Sequence, residues 1–242
     1  MSRVVVIPDV HGRLDLLDQV LSRVQHRFGR DCQLLFLGDL IDRGPDGAAV
    51  LRRVYALSRE GAVVLMGNHE DTFIGFLNGD ARTALRFAFW GGADTLDSFV
   101  RERGKPFTAW QELREYLESD GLYPWLAALP HHFVMHSVSA THAPVPRAAW
   151  VGNTPARSAS LWGAPEDKDD AQTWSKWLWA QPGATAVCGH VCTPRDKDGR
   201  RQPFFAGRGY FLDCGCSEDP ASELVAAFFE GGQLIETLRS GG

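Results

Sequence analysis

The first 66 residues carry three short apolar runs at a nearly constant spacing, and this rhythm limits the possible folds more than any other feature. The runs are Val4–Ile7, Leu34–Leu37 and Val63–Met66. Between them, apolar residues recur at helical spacing from Leu14 to Phe28 and from Val50 to Leu57. Strands that alternate with helices in this way predict a parallel sheet with right-handed crossovers.

The middle and the second half of the chain follow different patterns. From Glu70 to Leu129 the apolar spacing is helical, which indicates a helical insertion or cap over the strand ends. A further helix is predicted at Ala171–Ala180, after a charged and solvated loop at Glu166–Asp170. Candidate strands separated by Gly and Pro turns occupy the rest, and they favour mixed or antiparallel pairing. These strands are Phe133–Ala143, Thr185–Cys188, Phe204–Phe205, Tyr210–Asp213, Leu224–Phe229 and Leu234–Leu238.

These elements predict one α/β domain over residues 1–242, with two packed mixed sheets, flanking helices and the insertion at 70–129. A hydrophobic content of 44% is sufficient for a large core, and a net charge of −5 argues against a nucleic-acid polymer as partner. No apolar run reaches the ~20 residues of a membrane helix, so no membrane association is expected.

The cysteines indicate the cellular compartment. The N-terminal run is too short and too charged for a signal peptide, and the number of cysteines, five, is odd. Both observations favour reduced thiols and a cytoplasmic protein. Cys188 with Cys192 and Cys214 with Cys216 lack the spacing of a zinc finger, so buried thiols are the better interpretation.

Polar residues follow five of the predicted strands, and most of these blocks contain a glycine. The blocks are Asp9-Val10-His11, Gly38-Asp39 with Asp42-Arg43, Gly67-Asn68-His69-Glu70, His142-Ala143 and Gly189-His190. Open α/β sheets place their ligands beyond the carboxyl ends of the strands, so we expect these blocks to converge. Core packing does not explain five such blocks together.

The residue types in the blocks predict a metal centre. Carboxylate, imidazole and amide ligands without thiolates suit Mn²⁺, Fe or Zn²⁺. Six candidate ligands exceed the needs of one catalytic ion, whereas two ions that share a bridging carboxylate would use all six. The candidates are Asp9, His11, Asp39, Asn68, His142 and His190. Two such ions would provide hydroxide at neutral pH for in-line attack on a phosphate.

The five blocks resemble those of the calcineurin-like metallophosphoesterases. More narrowly, they are similar to the phosphoprotein phosphatase group in its small bacterial and phage serine/threonine phosphatase branch. The run Trp90-Gly91-Gly92 followed by Thr95-Leu96 also resembles that branch. The resemblance implies a four-layer αββα sandwich with two divalent ions, of which Mn²⁺ is the favoured identity.

The resemblance also implies a role for each residue. Asp9 and His11 would hold the first ion, Asp39 would bridge, and Asn68, His142 and His190 would hold the second. His69 would be the general acid that protonates the leaving oxygen, and Asp42 would orient it and raise its pKa. Arg43 would bind the substrate phosphate through its two-pronged guanidinium, with Asn68 also in contact with substrate.

Two assignments have alternatives. His136 lies six residues before His142 on the same apolar run, but the Ala-Pro-Val that follows His142 resembles the family block. Members of the phosphatase group usually carry an arginine just after a Leu-Trp pair, whereas Leu161-Trp162 is followed here by Gly163. Arg157 is then a possible second phosphate ligand.

The favoured function is therefore a two-metal phosphomonoesterase that acts on phosphoserine or phosphothreonine. The alternative is hydrolysis of a dinucleoside tetraphosphate, because Leu161-Trp162-Gly163-Ala164-Pro165 is similar to the bacterial symmetric dinucleoside-tetraphosphate hydrolases. Those relatives tend to lack the acid at Asp42 and to carry aspartate at Glu70. A non-catalytic binding module is disfavoured, because all six ligands and the His69–Asp42 pair are present.

Overall fold

The computed structural model describes residues 3–135, 137–165, 171–219 and 221–241, with only the backbone at 171–172. The predicted loop Glu166–Asp170 and the rival ligand His136 lie outside these residues. The strands are β1 (Arg3–Ile7), β2 (Gln33–Phe36), β3 (Val63–Val64), β4 (His132–Met135), β5 (Val138–Thr141), β6 (Trp150–Val151), β7 (Thr154–Pro155), β8 (Thr185–Cys188), β9 (Phe204–Ala206), β10 (Gly209–Phe211), β11 (Val225–Glu230) and β12 (Gln233–Arg239). The α-helices are α1 (Leu14–Phe28), α2 (Gly47–Arg59), α3 (Asn68–Leu77), α4 (Ala81–Phe89), α5 (Gly92–Arg103), α6 (Trp110–Glu118), α7 (Leu122–Ala127), α8 (Arg157–Trp162) and α9 (Ala171–Trp177).

Ten of the twelve strands form two mixed sheets of five strands each, and β6 and β7 pair with each other in an antiparallel hairpin. The first sheet has the order β12-β11-β1-β2-β3, in which β1, β2 and β3 are parallel and β11 runs antiparallel to β1. The second has the order β4-β5-β8-β10-β9, with β5, β8 and β10 parallel. The predicted parallel start and mixed second half are both confirmed.

Successive side chains along each strand point to opposite faces of the sheet, and this alternation generates the layers. Val4 and Val6 of β1 pack with Val138 and Val187 of the second sheet, which fills the space between the sheets. The neighbours of Val4 and Val6 on β1 point the other way and pack against α1 and α2. On the outer side of the second sheet, Trp174 of α9 packs against β8 and β10. This is the predicted four-layer αββα sandwich.

The helices of the middle segment share the core of the first sheet. The ring of Phe73 in α3 stacks on those of Phe87 in α4 and Phe99 in α5, at 5.2 and 6.1 Å between ring centres, and all three are fully buried. They belong to the same cluster as Leu51 and Val54 of α2. The segment therefore extends the helical layer, and its first helix begins at Asn68 rather than at the predicted Glu70.

Several predicted boundaries are wrong. The single strand expected at 133–143 is a hairpin of β4 and β5, paired from His132–Thr141 to Met135–Val138. The third strand ends at Val64 instead of Met66, because the N–H of Met66 donates to the carbonyl of Pro130, outside the sheet. Helix α9 ends at Trp177. Strands β6 and β7 are too short to produce a periodic pattern, and the sequence did not predict them.

All five cysteines are free thiols, as expected, and Cys188, Cys214 and Cys216 are buried. Within the described ranges, no helix combines the length and the apolar character that a membrane span requires.

Candidate active site

The loops that carry the predicted ligands meet at one edge of the sandwich, beyond the carboxyl ends of β1, β2, β3, β5 and β8. The predicted metal ligands and the general-acid pair are almost all deeply buried there. Fully buried residues are Asp9, His11, Asp39, Asp42, Asn68, His69 and His142, and His190 is half-buried.

The backbone at this edge is held in an unusual conformation. Every non-glycine residue with a positive φ in the described part of the chain lies in these loops. They are His11 (46°), Asp39 (49°), Asp42 (70°), Arg43 (68°) and His190 (65°). L-residues rarely adopt this region, and such strain persists only where surrounding contacts maintain it. Its concentration in one place marks a functional site.

Four of the predicted ligands converge tightly. Nε2 of His142 lies 2.8 Å from Oδ1 of Asn68, 3.2 Å from Nδ1 of His190 and 3.4 Å from Oδ1 of Asp39. Nδ1 of His190 is 2.9 Å from the same Asn68 oxygen. Ligand atoms that each lie about 2.1 Å from one ion are separated from one another by roughly 3–3.5 Å. The four atoms are therefore spaced as ligands of a common cation.

The protonation of this group also fits a cation. Nδ1 of His142 donates to the carbonyl of Leu37 at 3.0 Å, which leaves Nε2 with a lone pair. Burial lowers the pKa of His142, which favours the neutral form of the ring. A lone pair on His142 then faces the carbonyl oxygen of Asn68, and two acceptors at hydrogen-bond distance repel unless a cation lies between them. The residues fit the predicted second ion.

A second group forms around the other carboxylate oxygen of Asp39. Oδ2 of Asp39 lies 3.8 Å from Nε2 of His11 and 3.8 Å from Nε2 of His69. His11 donates from Nδ1 to the carbonyl of Ile41 at 2.9 Å, so its Nε2 faces the site. His11, Asp39 and His69 are close enough to hold one ion together. Asp39 belongs to both groups, as the predicted bridge requires.

Asp9, the remaining predicted ligand, lies beside these groups. Both of its carboxylate oxygens accept the N–H of His190 at 3.1 Å. A Cβ at Gly189 would overlap the Asp9 carboxylate, so this approach depends on glycine. The geometry groups His69 with His11 and Asp39 and does not include Asp9 in that group. Its role as a ligand of the first ion stays a prediction.

Buried negative charge accumulates around the two groups. Burial, together with the charges of Asp213 and Asp39, raises the pKa of Asp9 well above its usual range. Although burial opposes its ionisation, the surrounding histidines, led by His142, lower the pKa of Asp39. Bound cations would stabilise the ionised form of carboxylates that are buried this close together.

Asp213 is a buried carboxylate whose charge acts on Asp9, and the sequence analysis did not single it out. It follows β10, is buried, and accepts the N–H of Gly215 at 2.8 Å and the thiol of Cys192 at 3.2 Å. Burial raises its pKa. The signal was present, because an acid after a strand parallel to β8 obeys the rule that identified the other blocks.

His69 and Asp42, which the sequence analysis predicts to form an acid pair, are in contact. Nδ1 of His69 lies 2.7 Å from Oδ2 of Asp42. The other Asp42 oxygen accepts the hydroxyl of Thr95 at 2.6 Å, and the Asp42 N–H donates back to that hydroxyl oxygen at 2.9 Å. Burial opposes a charged imidazole, but Asp39 and Asp42 outweigh it and raise the pKa of His69. Burial raises the pKa of Asp42 despite its bond to His69.

Arg43 is the cation at the mouth of the site. Its guanidinium lies between the two histidines of the second group, 2.9 Å from Nε2 of His11 and 3.2 Å from Nε2 of His69. Both rings direct a lone pair at the guanidinium in this arrangement. A bound phosphate would compete for these donors and leave Nε2 of His69 available for a proton.

Arg157, the other predicted phosphate ligand, has a different partner. Its guanidinium is 2.5 Å from Oδ1 of Asp71, and the side chain is half exposed. None of the hydrogen bonds found among the described residues links Arg157 to the two ligand groups. Its role in substrate binding stays a prediction.

The comparisons with known proteins agree with the predicted fold and family. A model of the family named Calcineurin-like phosphoesterase matches residues 2–194. A relative from Legionella pneumophila, a symmetrical bis(5'-nucleosyl)-tetraphosphatase, is 42% identical over 73 residues, which are 30% of this chain and 26% of the relative. The chain thus aligns with about a quarter of that relative's length.

Solved structures share the architecture over nearly the whole chain. A cold-active protein-tyrosine phosphatase from a Shewanella species superposes with a TM-score of 0.59 at 20% identity, over 99% of this chain and 77% of that one. A serine/threonine phosphatase from Saccharomyces cerevisiae gives a TM-score of 0.55 at 15% identity, over 98% and 79%. At these identities the likeness extends to the fold alone.

Proposed function

The chain belongs to the calcineurin-like phosphoesterase family, and on that premise we propose that it hydrolyses phosphomonoesters, with phosphoserine and phosphothreonine side chains as the favoured substrates. The observation that carries this proposal is the 2.7 Å contact between Nδ1 of His69 and Oδ2 of Asp42. An alkoxide is a strongly basic leaving group, and its departure requires a proton from a positioned acid. A nucleotide leaving from an anhydride is far less basic and gains little from that proton.

The proposed roles of the residues follow the two ligand groups. Asp39, Asn68, His142 and His190 would hold one ion, and Asp9, His11 and Asp39 the other. The two divalent ions, of which Mn²⁺ is favoured over Fe and Zn²⁺, would neutralise phosphate oxygens and make hydroxide available at neutral pH. Arg43 would bind the phosphate, and Asn68 would contact both metal and substrate. The free thiols suit a reducing, cytoplasmic compartment.

Hydrolysis of a dinucleoside tetraphosphate is the second candidate. It is favoured by the name of the Legionella relative, a symmetrical bis(5'-nucleosyl)-tetraphosphatase, and by the Leu161-Trp162-Gly163 run at the end of α8. The Asp42 carboxylate argues for the first candidate, because an enzyme for anhydrides has no need of a carboxylate-supported acid.

A substrate panel at fixed Mn²⁺ separates the two candidates. We expect kcat/KM for a phosphoserine peptide to exceed that for a dinucleoside tetraphosphate. A preference for the dinucleotide by orders of magnitude would eliminate the first candidate in favour of the second. Absence of hydrolysis of either substrate by the metal-loaded protein would contradict both.

A further inference from the structure

Two tryptophans from distant parts of the chain meet beside the site. The indole of Trp90, which follows α4, lies 5.8 Å from the imidazole of His69. The indole of Trp162, the last residue of α8, lies 6.5 Å from the imidazole of His190. The two indoles are 5.0 Å apart and inclined by 42°. Together they form an indole wall that extends from the acid His69 to the metal-ligand side.

The indole wall lies at the edge of the core, and Trp162 packs against the core of the first sheet. Trp90 and Trp162 are half-buried, whereas Trp174 behind the second sheet is 1% exposed. Neither indole N–H of the wall has a hydrogen-bond partner among the described residues, and neither is a buried unsatisfied donor. Both donors therefore face solvent. Tryptophans with an apolar ring and a free N–H at the edge of a site are typical of binding surfaces.

A cation lies over the indole wall. The guanidinium of Arg86, on α4, is 5.5 Å from the ring of Trp162. Arg86 is exposed, and no carboxylate within the described ranges forms an ion pair with it. A guanidinium at this distance attracts the face of the indole, which favours the observed position of the Trp162 ring.

We propose that the indole wall binds a planar ring carried by the leaving group of the substrate. The inference rests on the proposed phosphoesterase function, because His69 marks the side on which the leaving oxygen departs. A ring joined to that oxygen through one or more rotatable bonds would be able to stack on Trp90, which lies 5.8 Å from the His69 imidazole. In a peptide the ring would be an aromatic side chain next to the phosphorylated residue, and in a nucleotide it would be the base, each joined to the oxygen through several bonds.

Two phosphomonoesters separate the effect of ring planarity from the effect of leaving-group reactivity. Benzyl phosphate and cyclohexylmethyl phosphate release primary alcohols of similar basicity and differ in the flatness of the ring. A surface that is merely apolar favours the larger saturated ring, whereas a surface of aromatic rings favours the flat ring. We expect wild-type kcat/KM to favour benzyl phosphate by about threefold to tenfold, which corresponds to one aromatic pair contact.

Substitution then assigns the preference to the wall. Trp162→Leu and Trp90→Leu should each reduce the ratio of the two kcat/KM values towards one. Trp125→Leu is the matched control, because Trp125 is also half-buried and packs on Tyr55 in another part of the helical layer, 5.1 Å between ring centres. The control should keep the wild-type ratio. A wild-type ratio of one, or a ratio that both wall variants retain, would overturn the proposal.

Inhibition constants test the wall separately from catalysis. Benzylphosphonate should inhibit, or compete for the metal-loaded site in a binding assay, about threefold to tenfold better than cyclohexylmethylphosphonate. If neither ester is hydrolysed but the phosphonates retain this order, the proposed function fails and the wall stands. Equal affinities of the two phosphonates would reject the wall even if both esters are substrates.

Two further pairs identify the source of the ring. One pair is a phosphoserine peptide with phenylalanine or leucine after the phosphorylated residue, and the other is adenosine 5'-monophosphate against ribose 5-phosphate. If Trp162→Leu changes the ratio of kcat/KM values for the two peptides, the ring is a peptide side chain. If it changes the ratio for the two sugar phosphates, the ring is a nucleobase. Insensitivity of both ratios would count against the wall.

Discussion

Glu70 holds the backbone of Asp39 in place from behind the metal-ligand groups. One carboxylate oxygen of Glu70 accepts the Asp39 N–H at 2.8 Å and the Gly67 N–H at 3.0 Å, and the other accepts the Leu40 N–H at 2.8 Å. These bonds compensate the left-handed conformation of Asp39. Burial and the nearby Asp39 charge raise the pKa of Glu70 to about 7.

Replacing Glu70 with Gln should weaken metal binding without removing a ligand. A carboxamide has one acceptor oxygen for the three backbone N–H donors. Its NH₂ group is itself a donor and would repel the N–H groups that the oxygen does not bind. Loss of such a supporting contact typically reduces metal affinity by about 10–100-fold. Calorimetric titration with Mn²⁺ would measure the change. Glu115→Gln, on the exposed side of α6, is the control. An unchanged affinity would mean that Glu70 does not orient Asp39.

His69→Asn should retain both ions and reduce kcat by roughly 10²–10⁴ on a phosphoserine peptide, the usual effect of removing one general acid. The loss should be smallest on nitrophenyl phosphate, whose leaving group needs little protonation. Steady-state kinetics on both substrates, with metal content measured in parallel, test this expectation. His26→Asn in the exposed part of α1 is the control. An equal loss on every substrate would argue against the acid role.

Asp39→Asn should abolish metal occupancy and hydrolysis together. Asp39 contributes one oxygen to each ligand group, and an amide supplies a single neutral oxygen to bridge them. Plasma mass spectrometry after dialysis against Mn²⁺ would count the bound ions. Asp97→Asn, an exposed carboxylate on α5, should bind metal like the wild type. Activity that survives in Asp39→Asn with both metals bound would show that the bridge is misassigned.

The convergence of the site could be predicted from the sequence because it follows from topology. Parallel strands in one sheet end at the same edge, so ligands after Ile7, Phe36 and Val64 must be neighbours. The predicted ligands that follow strands of the second sheet lie beside those of the first sheet because the two sheets pack face to face. The short polar blocks indicated a resemblance to the calcineurin-like family, and the family match confirms it.

The parts that could not be predicted depend on contacts between distant residues. The supports from Thr95 to Asp42 and from Glu70 to Leu40 link positions 53 and 30 residues apart. The pairing of Trp90 with Trp162 joins the helical segment to α8. Periodicity reports which face of an element is apolar, but it does not report which element lies opposite. The hairpin of β4 and β5 was missed for a related reason, since an apolar run does not reveal a tight reversal.

Phe99→Ala tests whether the predicted insertion at 70–129 folds together with the rest of the chain. Phe99 is fully buried against Phe73, in the cluster that also contains Leu51 of α2. Its truncation should reduce the free energy of unfolding by about 3–5 kcal/mol. Phe89→Ala, at a side chain that is 85% exposed, is the control and should change it by less than about 0.5 kcal/mol. Urea unfolding followed by circular dichroism and tryptophan fluorescence should give one coincident transition, shifted as a whole in Phe99→Ala. Two separate transitions, with only one displaced, would mean that the helical segment is an independent folding unit, despite the core it shares with α2.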